Sequence, residues 1–167
     1  MLRWSRAVTL TVLCSATSVL DAQGIGKIGA ADIKSAAQQT TVNDSKGVAF
    51  RMSADGNAQY ILNRRTTPSA VEMHCAWDDL VVVQSGVGIL QSSRKFKGRT
   101  KYAQWEWRAS SLVEPSKVSL AAGDIVRVPA GDGHQISRLG DAPLVYLVVK
   151  LRTADTQSCA SLPARGR

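Results

Sequence analysis

A succession of short apolar segments separated by turn-forming residues constrains the fold of this chain more than any other feature. About eight such segments follow one another, among them AVEMHCAW, DLVVVQSGVGILQSS, YAQWEWRAS, KVSLAAGDIVRVPAG and PLVYLVVKLRT. Asp55 and Gly56 predict the turn of an earlier hairpin. Because no helical pattern interrupts the segments, they predict an all-β, antiparallel sandwich or closed barrel. The inward side chains of a barrel share a shielded cavity.

The first two dozen residues have the pattern of a secretory signal peptide. Arg3 and Arg6 precede an apolar stretch from Val8 to Leu20, and small residues follow in LDAQG. We expect cleavage after Ala22, with Ser18 as an alternative position. The stretch is shorter than the ~20 apolar residues of a membrane span. We therefore expect a secreted or periplasmic protein without stable membrane insertion after cleavage, and an uncleaved N-terminal anchor is the alternative.

One helix is predicted before the strands. AADIKSAAQQT, which begins at Ala30, has high helical propensity but few large apolar residues, so we expect it to lie on a surface. The length of 167 residues and the hydrophobic fraction of 44% are those of one globular domain. The predicted organisation is a signal peptide at 1–22, a helical segment at 23–47, a β-barrel at 48–152 and a tail at 153–167.

Export would place the cysteines where disulfides can form. Loss of Cys14 with the signal peptide leaves Cys75 and Cys159. The two either form a bridge between the barrel and the tail or remain free thiols.

The chain is basic, with a formal net charge of +8. Much of this charge lies in a basic loop at 94–101, within SSRKFKGRTKY. The loop is either a solvated loop tip or a patch for anionic envelope components or an acidic ligand. No nucleic-acid partner is expected, because no recognition motif accompanies the charge.

The segment GDIVRVPAGDGHQ, residues 123–135, places a histidine after two turns. Gly123 predicts a turn, and Pro129 ends the following strand because it lacks an amide donor. The four residues Gly123, Pro129, Gly131 and His134 resemble the second motif of the cupin superfamily, G-x5-P-x-G-x2-H-x3-N. Arg138 stands at the position of the final Asn.

The segment VEMHCAWDDLVVVQSG is similar to the first cupin motif, G-x5-H-x-H-x4-E-x6-G. Glu72 falls at the first His, His74 at the second, Asp79 at the Glu and Gly86 at the closing Gly. Thr66 occupies the position of the leading Gly. The spacing of this motif is kept, and the types of ligand change.

The resemblance implies a cupin barrel, or jelly roll, with a short N-terminal helix and a mononuclear metal site. Glu72 and His74 are two residues apart and so share one strand face, and the resemblance brings Asp79 and His134 to the same point. Mixed nitrogen and oxygen ligands suit Fe(II), Mn(II), Ni(II) or Zn(II). Glu72 is a fourth ligand, a catalytic acid or base, or a partner that orients His74. Asp79 is a ligand or a hydrogen-bond partner of one.

Cupins include dioxygenases, isomerases, epimerases and binding domains, so the resemblance leaves the function open. We expect a metal-dependent dioxygenase or isomerase acting on a small molecule. The alternative is a metal-free, non-enzymatic barrel that binds a sugar or an organic acid. Trp105 and Trp107 in QWEW share a strand face and are candidate substrate-pocket residues, because an aromatic pair at the barrel mouth would form an apolar wall. Ordinary packing under the helix or at a dimer contact is the other interpretation. Pairing of edge strands would give a homodimer.

Overall fold

The computed structural model describes residues 27–38, 48–54 and 57–153. The predicted signal peptide, the Asp55-Gly56 turn, Cys159 and the tail beyond Thr153 lie outside these residues. Within the described ranges the chain forms one helix, α1 (Ala30–Gln38), followed only by strands. The strands are β1 (Val48–Ala54), β2 (Ala58–Arg65), β3 (Val71–His74), β4 (Trp77–Ser85), β5 (Val87–Ser93), β6 (Phe96–Lys97), β7 (Thr100–Ala103), β8 (Glu106–Ala109), β9 (Ser111–Leu112), β10 (Ser116–Ala121), β11 (Ile125–Val128), β12 (Gly133–Leu139) and β13 (Leu144–Arg152).

Two antiparallel sheets make up the barrel. One has the strand order β1-β2-β13-β4-β11, the other has the order β10-β5-β12-β3-β8-β7, and β6 pairs with β9 in a small third sheet. The predicted all-β, antiparallel architecture with one short helix is confirmed. No helix of the described residues is long and apolar enough to cross a membrane.

The inward-facing side chains of β4 and β13 help to fill the space between the two sheets. Val81 lies opposite Val148, and Val83 lies opposite Tyr146. These four side chains are buried in a core to which strands of both sheets contribute. Because successive residues of a strand point to opposite faces, the next inward positions belong to Asp79 and Lys150, which also lie opposite each other. The apolar row therefore ends in a pair of opposite charges.

Helix α1 covers the outer face of the five-stranded sheet. Its buried residue Ala36 packs in a cluster with Leu62 of β2 and Val145 of β13, and Ile33 and Ala37 pack against that cluster. Val145 adjoins inward-facing Tyr146 and so points outward. The helix is far from the barrel interior, in agreement with the surface position that its composition predicts.

Two glycine turns allow a matched test of backbone strain. Gly86 and Gly123 have φ angles of +81° and +93°. A Cβ at Gly86 would overlap the carbonyl oxygen of Pro143, whereas a Cβ at Gly123 would meet no described atom within 4 Å. We expect Gly123→Ala to lower the free energy of unfolding by about 1 kcal/mol from strain alone, and Gly86→Ala by about 2–4 kcal/mol because overlap is added. Urea denaturation measures both, and equal losses would contradict the turn geometry.

Candidate metal centre

Three side chains from neighbouring strands converge inside the barrel. Glu72 and His74 lie on β3, and His134 lies opposite Glu72 on the adjacent strand β12. One nitrogen or oxygen atom from each of the three lies within 4.8 Å of the others. Both histidines are buried, and the Glu72 side chain is 22% exposed. The two cupin-like motifs thus meet at one point.

The imidazole nitrogens in this cluster have few partners. Nε2 of His74 is buried and has no hydrogen-bond partner among the described residues. Nδ1 of His134 lies 3.4 Å from the Asp132 carbonyl oxygen; if Nδ1 carries the proton, the lone pair of Nε2 faces the cluster. His134 Nε2 is 3.6 Å from a carboxylate oxygen of Glu72 and equally far from one of Asp79. The buried, unpartnered nitrogen and the mixed donors fit a divalent metal.

Arg108 fixes the carboxylate of Glu72. Arg108 lies opposite Glu72 on β8, and its Nη1 donates to Glu72 Oε2 while its Nη2 lies 2.7 Å from Glu106 Oε1. The other oxygen of Glu72, Oε1, is the one that faces His134. Glu72 therefore directs one oxygen towards His134 and is held in place by Arg108 through the other.

Asp79 lies beside the two histidines, but its charge is already paired. Its Oδ2 is 3.6 Å from Nε2 of both His74 and His134. The ammonium of Lys150 lies 2.7 Å from Oδ1 and 2.9 Å from Oδ2. The exposed fractions are only 5% for the Asp79 side chain and 13% for that of Lys150. The role of Asp79 as a metal ligand stays a prediction.

The neighbouring Asp78 is directed elsewhere. Its Oδ2 accepts a hydrogen bond from Nε of Arg127 at 2.7 Å, and its Oδ1 accepts one from the Ala130 amide at 2.7 Å. Asp79 is thus the one of the two adjacent carboxylates that faces the histidines, as the motif spacing predicts.

Burial and neighbouring charges shift the pKa values of all three residues in the cluster. Burial lowers the pKa of His74 to about 4, against the opposing effect of the Asp79 charge. Burial also disfavours the charged forms of His134 and Glu72, but their mutual contact and the surrounding charges outweigh it. The pKa of His134 is raised, and the pKa of Glu72 is well below its usual range. Glu72 is therefore ionised at neutral pH, and its carboxylate oxygen Oε1 faces His134.

The two tryptophans do not occupy one strand. YAQWEWRAS is divided into β7 and β8, and the prediction that it forms a single strand is wrong: Trp105 lies in the intervening turn with φ of +63°. Trp107 lies opposite Met73, and so on the face away from Glu72 and His74. The guanidinium of Arg99 is 4.7 Å from the Trp107 ring, and that of Arg152 is 5.2 Å from the Trp105 ring. Their role in a substrate pocket stays a prediction.

Two further features flank the centre. Cys75, next to His74, is buried and disulfide-bonded, and Cys159 lies outside the described residues.

In the basic loop, Arg94 lies 2.9 Å from Asp132, and Lys95 lies 3.6 Å from Glu114. The loop is largely exposed, and its function stays a prediction.

Sequence reasoning missed Lys150 and Arg108. Leu144, Tyr146 and Val148 are buried in the core at every second position of β13. Continuing this alternation by one step would have placed Lys150 inside the barrel. Arg108 carried no comparable signal, because its contact with Glu72 depends on the register between β3 and β8.

Comparisons with known proteins identify the fold. No protein-family model and no curated protein matches the chain. Among solved structures, hydroquinone 1,2-dioxygenase PnpCD in complex with Cd²⁺ and 4-hydroxybenzonitrile has a TM-score of 0.55 at 14% identity, over 80% of this chain and 75% of that one. A Klebsiella pneumoniae protein with a double-stranded β-helix domain has a TM-score of 0.51 at 13% identity, over 70% and 86%. A cupin superfamily protein of Desulfitobacterium hafniense has a TM-score of 0.48 at 17% identity, over 70% and 87%.

The chain has the double-stranded β-helix fold of the cupins, since the Klebsiella pneumoniae protein with a double-stranded β-helix domain is among its structural neighbours. The resemblance that the two sequence motifs indicate is thereby confirmed at the level of the fold. The cluster of Glu72, His74 and His134 adds a potential metal site to that barrel.

Proposed function

We propose that this protein is an exported, single-domain cupin that holds one divalent metal through Glu72, His74 and His134 and acts on a small molecule at that centre. The reaction class we assign to it is dioxygenase or isomerase chemistry. The observation that carries the proposal is the buried Nε2 of His74, which has no hydrogen-bond partner among the described residues although His74 clusters with Glu72 and His134. An unsatisfied buried polar atom costs about 1–3 kcal/mol, and a bound cation would remove that cost.

The residues around the centre have separable roles in this proposal. A bound metal would supply Lewis acidity or oxygen activation at an open coordination position. His74 and His134 would each supply one ring nitrogen to the metal, from the two neighbouring strands β3 and β12. Glu72 supplies one oxygen, and Arg108 orients it through the other. Two histidines and one carboxylate form a set that leaves coordination positions open for a substrate.

A metal-free binding barrel is the second candidate, and the Asp79–Lys150 ion pair favours it. Lys150 already places a positive charge 2.7 Å from Asp79. In that case a sugar or an organic acid would be bound by the same polar groups without a metal. The two candidate functions differ in whether a small molecule still binds after the metal has been removed by a chelator.

Binding before and after chelation distinguishes the two functions. We expect the Fe(II)-loaded protein to bind members of a panel of small phenols, sugars and organic acids by calorimetry, and to lose this binding after removal of the metal. Oxygen uptake or isomerised product with the bound compounds would then define the reaction. Unchanged binding after chelation would reject the metal-dependent function in favour of the alternative.

Export is tested on the full chain expressed with its N-terminus intact. We expect the exported protein to begin at Gln23 by mass spectrometry. Retention of Met1 on a protein that remains in the cytoplasm would contradict export.

A further inference from the structure

We propose that Lys150 is an internal competitor of the metal for Asp79, and that it restricts the metal site to Glu72, His74 and His134. This inference rests on the proposed metal function and deepens it. It concerns which carboxylate coordinates the metal and how strongly the metal binds.

The position of Lys150 is determined by strand pairing. Lys150 of β13 lies directly opposite Asp79 of β4, and the inward row of β13 ends at this lysine after Leu144, Tyr146 and Val148. Its ammonium contacts both oxygens of Asp79, at 2.7 and 2.9 Å. Since the Asp79 side chain is buried and that of Lys150 is only 13% exposed, the pair is weakly screened by solvent.

The ammonium of Lys150 contacts Oδ2 of Asp79, the oxygen that a metal would bind. Asp79 Oδ2 is 3.6 Å from Nε2 of both histidines, so a cation bound to the two nitrogens would lie beside it. The same oxygen is 2.9 Å from the ammonium. A metal ion and the ammonium are like charges that compete for one carboxylate, and each lowers the affinity of the other.

Glu72 is paired in a different way, which explains why it is the carboxylate left for the metal. Arg108 engages Glu72 through Oε2 and leaves Oε1 facing His134. Lys150 engages both oxygens of Asp79. The site therefore presents one available carboxylate oxygen and two nitrogens, although four donor residues surround it.

The test uses Co(II) alone, with affinity from competition titration and coordination from the visible spectrum of the bound ion. Lys150→Met should bind Co(II) about 10- to 100-fold more tightly than wild type, because a like charge beside the metal is removed, and should change the spectrum. Adding Asp79→Asn to Lys150→Met should restore the wild-type spectrum. Lys150→Arg, which keeps the positive charge, should keep the wild-type affinity for Co(II).

Arg127→Met is the matched control, because it removes a cation paired with the adjacent Asp78. It should change neither the Co(II) affinity nor the visible spectrum.

Each outcome decides between the inference and the function on which it rests. Equal affinity and equal spectra for wild type and Lys150→Met would overturn the inference and leave the metal function intact. If Lys150→Met binds Co(II) and the wild type does not, the inference about Lys150 is supported and a metal function of the native chain is rejected. If neither the folded wild type nor folded Lys150→Met binds Co(II), the inference and the metal function are both overturned. Circular dichroism verifies folding, and Lys150→Gln serves as a second charge-removing variant.

Discussion

His134→Ala is expected to weaken Co(II) or Zn(II) binding by more than about 100-fold. Loss of a partner that only orients a ligand already costs 10- to 100-fold, and His134 would be a ligand itself. The remaining donors, Glu72 and His74, lie on one strand and cannot surround a metal from two sides. Competition titration with a coloured chelator measures the change.

The control for this prediction is Gln135→Ala. Gln135 adjoins His134 on β12, points to the opposite face, and donates to the Ser69 carbonyl oxygen. We expect this variant to keep the wild-type metal affinity even where it loses stability. If His134→Ala were to bind the metal as well as Gln135→Ala does, His134 would not be a ligand.

The second large effect concerns the stability of the metal-free protein. Asp79→Ala is expected to lower the free energy of unfolding by about 3–5 kcal/mol, because it leaves the ammonium of Lys150, whose side chain is only 13% exposed, without its counter-charge. Asp79→Ala combined with Lys150→Met removes both charges and should recover at least about 2 kcal/mol of that loss. Denaturant unfolding of the single and double variants gives the coupling energy.

Asp78→Ala is the comparison for this cycle. It breaks the pair with Arg127, whose side chain is 64% exposed, and one hydrogen bond to the Ala130 amide. We expect a loss of about 1–2 kcal/mol. Additive losses in the Asp79 and Lys150 cycle would show that their contact contributes nothing to stability.

The fold was predictable because its main signal is local. Alternation along single strands and turn residues between them are properties of neighbouring positions, and they predict an antiparallel barrel before any pairing is known. Glu72, His74 and His134 were predictable for a similar reason, since two motifs with fixed spacing carry them. The helix followed from the composition of one short segment.

The partners of those residues could not be predicted in the same way. The contacts of Asp79 with Lys150 and of Glu72 with Arg108 join residues separated by 71 and 36 positions, and they depend on which strands pair and in what register. The position of Trp105 could not be predicted either. Its left-handed backbone conformation interrupts the strand, so Trp105 and Trp107 do not follow the alternation that would place them on one face. Register decides whether a charged side chain faces the cavity or the solvent.

The most direct measurement is the elemental content of the protein purified without added metal or chelator. We expect about one divalent metal ion per chain, and none in a folded His74→Ala, His134→Ala double variant purified in parallel. The decisive contrary result is a wild-type protein as empty as the double variant, even after incubation with Fe(II), Mn(II), Ni(II) and Zn(II). In that case the cluster of Glu72, His74 and His134 would not be a metal centre.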